Sequence, residues 1–212
     1  MRLLAALDPG AAEAAVAEAA AAVRAGGLVI YPTDTLYALG GDARSPEAAR
    51  RVRQAKGREE GKPLPLVAAD AEQARALCRD WPAAAALLAA RFWPGPLTLA
   101  LPASGAVPAE VTAGLGSVAV RVPARALTRA LCAAVGPLIS TSANRSGEAP
   151  PLTCAEAVAA VGEAAVLAID AGPGHPLGST IVELAAGQPR LLRAGPISWS
   201  DVHAVLLSAG AC

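Results

Sequence analysis

Short apolar runs alternate with capped helical stretches along nearly the whole chain, and this alternation constrains the fold more than any other feature. Asp8-Pro9 starts a helix that runs through Glu13 and Glu18 to about Arg24, where Gly26-Gly27 stops it. LVIY (28–31) follows as a short buried strand. Ser45-Pro46-Glu47, an N-cap with proline in the first turn, opens a helix that ends near Lys56. PLPLVAA (63–69) reads as a strand whose prolines place it at an edge or a strand start. Helices over about 71–79 and 83–91 lead to LTLALP (97–102), SVAVRVP (117–123) and PLISTSA (137–143), three strand-like runs. A helix over about 125–135 separates the last two. Thr153 and Glu156 form a capping-box pattern that opens another helix. AVLAID (165–170), STIVEL (179–184) and RLLRAG (190–195) are strands, and Ser198 to about Leu207 is a final helix. Several strands follow one another too closely to be purely parallel, so the expectation is α/β with a mixed parallel and antiparallel sheet. No repeat, linker or boundary divides residues 1–212, which read as a single domain.

Composition narrows what such a domain can do. Of 212 residues, 54% are hydrophobic and 17% charged, which is globular rather than disordered. The 18 basic and 18 acidic side chains cancel, which argues against coating nucleic acid or an anionic membrane through bulk charge. Any anion site must then be local. Sixteen basic residues are Arg, and the two lysines, Lys56 and Lys62, fall in one stretch, KGREEGK. Cys78, Cys132, Cys154 and Cys212 make no C-x-x-C pair and, with His175 and His203, no zinc spacing, so no protein metal site is expected. Acidic residues interrupt the apolar N-terminus, and no apolar run spans a bilayer, so the expected compartment is the cytoplasm.

Polar and glycine-rich segments recur at strand ends, where ligands of open α/β sheets collect. YPTDTLYALGGDA (31–43) puts the hydroxyls of Thr33 and Thr35 directly after a buried strand. KGREEGKPL (56–64) is a cationic loop. SVAVRVP places Arg121 inside an apolar strand, where it needs either a structural acid or a ligand. STSANRSG (140–147) offers hydroxyls and backbone N–H groups as a neutral anion cradle. FWPGPLTL (92–99), GHPLGSTIV (174–182) and LLRAG (191–195) complete the set. No Walker A loop, no G-x-G-x-x-G and no Ser-His-Asp arrangement is present. Scattered Arg, Lys, Ser and Thr suit electrostatic stabilisation of a phosphoryl or nucleotidyl group rather than attack by a protein nucleophile.

As an ordered set, PTDTLYALG, KGR…KPL, PGPLT, VAVRVP, STSANRSG, STIV and LLRAG resemble the YrdC/TsaC family of threonylcarbamoyl-AMP synthases, over about residues 24–195. The resemblance implies an open, twisted, mixed sheet with flanking helices around a basic cavity. It implies that L-threonine, bicarbonate or CO₂, and ATP become threonylcarbamoyl-AMP and pyrophosphate, with Mg²⁺ arriving on ATP. The product would feed N6-threonylcarbamoylation of adenosine 37 in transfer RNA, so transfer RNA and threonylcarbamoyl-transferase proteins are the implied further partners, with no membrane. By motif, Lys56 and Arg58 resemble the family's catalytic phosphate-binding pair. Lys62, Ser117, Ser142, Asn144, Pro150 and Arg193 would also meet ATP, with Asn144 alternatively ordering its own loop. Thr35, Arg121, Ser140 and Ser179 would hold threonine, Arg121 through a bidentate fork on its carboxylate. The chain resembles the short form, without the extra C-terminal domain of longer relatives. Two rival readings keep the fold: a carbamoyl-adenylating domain that uses carbamoyl phosphate, and a non-catalytic RNA-binding module. The scarcity of aromatic rings and of net positive charge weighs against the latter.

Overall fold

The computed structural model describes residues 1–57, 61–184 and 188–208. The chain opens with β1 (Arg2–Ala5), α1 (Pro9–Arg24), β2 (Val29–Pro32), β3 (Tyr37–Gly40) and α2 (Pro46–Lys56). It continues through β4 (Leu66–Val67), α3 (Ala71–Ala76), α4 (Ala83–Phe92), β5 (Leu97–Pro102), α5 (Ala109–Thr112), β6 (Ser117–Arg121) and α6 (Ala126–Val135). After β7 (Leu138–Ile139) and β8 (Thr141–Ser142) come α7 (Cys154–Val161), β9 (Leu167–Asp170), β10 (Thr180–Glu183), β11 (Arg190–Arg193) and α8 (Trp199–Ser208).

The helix starts are local chemistry. The Asp8 carboxylate accepts from the Ala11 N–H at 2.9 Å, and Ser45 Oγ accepts from the Ala48 N–H at 3.1 Å. Thr153 and Glu156 make both bonds of the capping box. Helix α1 buries a stripe of Ala15, Ala19, Ala20 and Val23, whose small side chains let it lie against α6.

Pairing is mixed, as expected, but the strands divide between two sheets. One has the order β1-β9-β2-β3-β8, the other β11-β10-β5-β6-β4-β7. In the first, β9 runs parallel to β1 and β2, while β3 is antiparallel to β2 and β8. In the second, β5 is parallel to β10 and antiparallel to β6. Residues 137–143, expected as one strand, break at Ser140. Leu138 and Ile139 pair with β4, whereas Thr141 and Ser142 pair with β3 in the other sheet. The Ser140 N–H turns away to the Pro65 carbonyl at 2.8 Å. The sheets touch here so closely that a Cβ on Gly40 would lie 1.7 Å from the Ile139 carbonyl oxygen. The fully buried Tyr31 adds a stitch, its hydroxyl donating to the same carbonyl at 2.7 Å.

Two strands escaped the pattern reading. The N-terminal residues of β1 lie parallel to β9 at the edge of the first sheet. Residues 37–40, read as part of a polar loop, are β3, and all four are buried. The hairpin joining β2 to β3 closes on Thr33, whose Oγ1 accepts from the Thr35 and Leu36 N–H groups and donates to the Leu36 carbonyl. Among the described residues, no helix is long and apolar enough to cross a membrane.

Candidate active site

Strand alternation builds the floor of a cavity. On β5, Leu97, Leu99 and Leu101 are fully buried in the core, and Thr98 and Ala100 face the other way. On β6, Val118 and Val120 enter the core while Ser117, Ala119 and Arg121 face the cavity, as do Ile181 and Glu183 on β10. Small side chains at Ala100 and Ala119, register partners across the two strands, leave the space open. The β2–β3 turn, β3 and β8 of the first sheet form the opposite wall. Together they enclose about 330 Å³.

Seven of the expected site residues line this one cavity: Thr35, Ser117, Arg121, Ser140, Ser142, Ser179 and Arg193. Arg121 is buried, and its guanidinium is not free. Nη1 donates to Asp34 Oδ1 at 3.0 Å, and Nη2 to Thr35 Oγ1 at 3.1 Å. Burial lowers the Arg121 pKa, and the charge of Asp34 opposes that shift. So the acid partner that the sequence left open exists, and it is Asp34. The pair reaches from the second sheet to the turn of the first.

Arg193 sits at the rim. Its Nε donates to the Ser179 carbonyl and its Nη2 to Ser179 Oγ, both at 3.0 Å. Ser179 Oγ in turn lies 2.7 Å from Thr98 Oγ1. Gly178 lies close beside it, and a Cβ there would come within 3.1 Å of Arg193 Nη2. Among the described residues no carboxylate pairs with Arg193. Partial withdrawal from water lowers its pKa, and the nearby charge of Arg121 lowers it further. An anion entering the cavity would offset both.

The remaining expected residues lie elsewhere. Lys56 is buried behind the 142–146 loop rather than on the cavity wall. Its Nζ donates to the carbonyls of Ser142 and Asn144, and its own carbonyl accepts from the Ser146 N–H at 2.8 Å. A buried ammonium needs such acceptors, so in this geometry Lys56 shapes the loop. Asn144 is also buried, and its Nδ2 donates to the carbonyls of Arg145 and Glu148 at 2.9 and 2.8 Å, which orders the same loop. Its Oδ1 is buried without a hydrogen-bond partner among the described residues. Lys62 and Pro150 are exposed and off the cavity wall, and Arg58 lies outside the described residues.

Pattern reading missed Asp34, Thr98 and Glu183. The signal was present for the last two, since each alternates with bulky core residues on a strand that carries other cavity residues. Cys78, Cys132 and Cys154 are buried, with thiol pKa values pushed up by burial to about 12, 12 and 11. None lines the cavity. No group of three His, Cys, Asp or Glu among the described residues could hold a metal ion. Glu183 on the cavity wall and Asp34 beside Arg121 are each engaged by an arginine.

Two sheets enclosing a hydroxyl-lined cavity with two guanidinium groups define an α/β protein whose cavity suits a small anionic ligand. The chain belongs to the Sua5/YciO/YrdC family: the Sua5_yciO_yrdC family model, described as Telomere recombination, matches residues 21–195. It is 40% identical over 191 residues to a Threonylcarbamoyl-AMP synthase of Pyrococcus abyssi, covering 89% of this chain and 56% of that relative. It is 34% identical over 200 residues to a Putative threonylcarbamoyl-AMP synthase of Mycobacterium tuberculosis, covering 94% of this chain and 92% of the relative. A crystal structure of P. abyssi Sua5 complexed with L-threonine superposes with a TM-score of 0.89 at 35% identity, over 97% of this chain and 60% of that one.

Proposed function

We propose that this chain is a threonylcarbamoyl-AMP synthase, a nucleotidyltransferase that joins L-threonine, bicarbonate or CO₂, and MgATP, and releases pyrophosphate. The observation that carries this reading is one cavity holding both Arg121 and Arg193, walled by the hydroxyls of Thr35, Ser117, Ser140, Ser142 and Ser179. Two anionic reactants, a carboxylate and a phosphate chain, call for two cations in one enclosure. The family, and relatives named as threonylcarbamoyl-AMP synthases, support the same reading.

Threonine's carboxylate meets Arg121 on the side not taken by Asp34, and its hydroxyl meets Thr35, Ser140 or Ser179. Arg193 faces the α-phosphate, with Ser117 and Ser142 on the nucleotide. Lys56 and Asn144 hold the 142–146 loop that presents Ser142. The threonine amine captures CO₂ as a carbamate and loses a proton. A carbamate oxygen then attacks the α-phosphorus, and pyrophosphate leaves. Holding the reactants in register supplies on the order of 7–11 kcal/mol of the barrier, and no protein nucleophile is needed. Mg²⁺ enters as part of the substrate, since the triphosphate offers the hard oxygen ligands it prefers. The product serves as donor for N6-threonylcarbamoylation of transfer RNA.

The test incubates the protein with MgATP, bicarbonate and each amino acid in turn, and measures pyrophosphate. Release dependent on threonine and bicarbonate is expected. Release that instead needs carbamoyl phosphate, or that ignores the amino acid, overturns the reading.

A further inference from the structure

The cavity is electrically lopsided. Arg121, Arg193, Thr35 and Ser179 gather at one end. On β10 the cavity-facing residues then run from Ile181, opposite Arg193, to Glu183. Glu183 lies in one row with Ala100 and Ala119 across three strands, so its side chain stands on the cavity face at the edge of the shallow alanine floor. Both contacts of Arg190 to this carboxylate fall on a single oxygen. The exposed Arg190 reaches Oε2 with Nε at 3.0 Å and with Nη2 at 2.8 Å. Oε1 takes no hydrogen bond from any described residue, in a side chain only 25% exposed. A carboxylate repels phosphates, so this end of the cavity suits the uncharged part of a nucleotide and specifically its hydrogen-bond donors.

The span admits a nucleoside. Four residues of extended chain, about 13 Å, separate Ser179, which holds the Arg193 guanidinium, from Glu183. A nucleotide with its α-phosphate against Arg193 carries both its ribose hydroxyls and its adenine amino group within that reach, and of these the ribose hydroxyls are the donors that a carboxylate takes in nucleotide-binding α/β folds. We propose that Glu183 is a specificity-determining residue that accepts a hydrogen bond from a ribose hydroxyl through Oε1, with Arg190 fixing the other oxygen. The inference rests on the ATP-binding reading above. It adds a discrimination between ribonucleotides and deoxyribonucleotides.

Calorimetric titration with ATP, 2′-deoxyATP and 3′-deoxyATP tests it without depending on turnover. Wild-type protein should bind at least one deoxy analogue roughly tenfold more weakly than ATP, the range expected for a hydrogen bond to a charged acceptor. In Glu183→Ala, ATP should weaken by a similar factor, and the three nucleotides should bind within about twofold of one another. Glu183→Gln, which keeps a neutral acceptor, should retain part of the discrimination, and thermal melting checks that both variants are folded. Undiminished discrimination in folded Glu183→Ala, or tighter binding of all three nucleotides, overturns the proposal while leaving ATP binding intact. Failure of the wild type to bind ATP overturns the function reading and this inference with it.

Discussion

Replacing Asp34 with Asn leaves an oxygen within reach of the Arg121 guanidinium and removes only its charge. The pair is withdrawn from water on both sides, with side chains 7% and 15% exposed and Nη1 3.0 Å from Oδ1. Stripping one partner from a buried pair costs about 3–5 kcal/mol when the remaining charge is left uncompensated. Arg121 keeps its bond to Thr35 at 3.1 Å and faces a cavity, so about 2 kcal/mol is the expected loss. In a 212-residue chain each kcal/mol moves Tm by roughly 2–4 °C, so the ligand-free variant should melt roughly 4–8 °C lower. Threonine then becomes the probe. Its carboxylate and Asp34 share one guanidinium, so removing the Asp34 charge should tighten threonine binding. At about a hundred times its Kd, threonine adds about 2.7 kcal/mol, enough to return the variant to the ligand-free wild-type Tm. Differential scanning calorimetry at one fixed threonine concentration should show a larger upward shift in Asp34→Asn than in wild type. Threoninol, which lacks the carboxylate, should give neither shift. Equal shifts in the two proteins, or rescue by threoninol, would refute the placement of the ligand carboxylate on Arg121.

Arg193→Ala removes the rim guanidinium that has no acid partner among the described residues, and pyrophosphate release should fall at least tenfold, about 1.4 kcal/mol or more of transition-state stabilisation. Unchanged turnover with an unchanged far-ultraviolet spectrum would place the phosphate elsewhere. Among amino acids, kcat/KM should rank threonine, then serine, then valine. The missing methyl of serine is worth roughly 10–200-fold, whereas valine leaves the Thr35, Ser140 and Ser179 hydroxyls facing a methyl group. Valine equal to serine would mean selection by shape alone. Gly40→Ala forces a Cβ to within 1.7 Å of the Ile139 carbonyl, so β3 and β7 must separate. Urea unfolding should show a loss of at least about 3 kcal/mol or no cooperative transition, and a near-wild-type midpoint would contradict the close approach of the sheets.

Residues near one another in the chain determined most of the elements. Asp8, Ser45 and Thr153 cap helices because their side chains reach N–H groups three positions on, a relation visible in any window of the sequence. Bulky and small residues alternating in LTLALP and SVAVRV already say that one face of each strand is core and the other is not. An arginine in such a strand already requires a partner. What the local pattern lacks is the identity of neighbours brought together by register and by the break at Ser140. Asp34 lies 87 positions from Arg121, and only the hairpin of the first sheet folding over the second brings them to 3.0 Å. The same packing brings Lys56, for which the family resemblance implies a phosphate-binding role, to the carbonyls of Ser142 and Asn144. The sequence by itself determined where helices and strands form and which face of each is apolar, because those depend on propensity and spacing. Only the tertiary structure decided that the strands part into two sheets, and which charges face each other across the cavity between them, because desolvated groups take partners by proximity in space rather than along the chain.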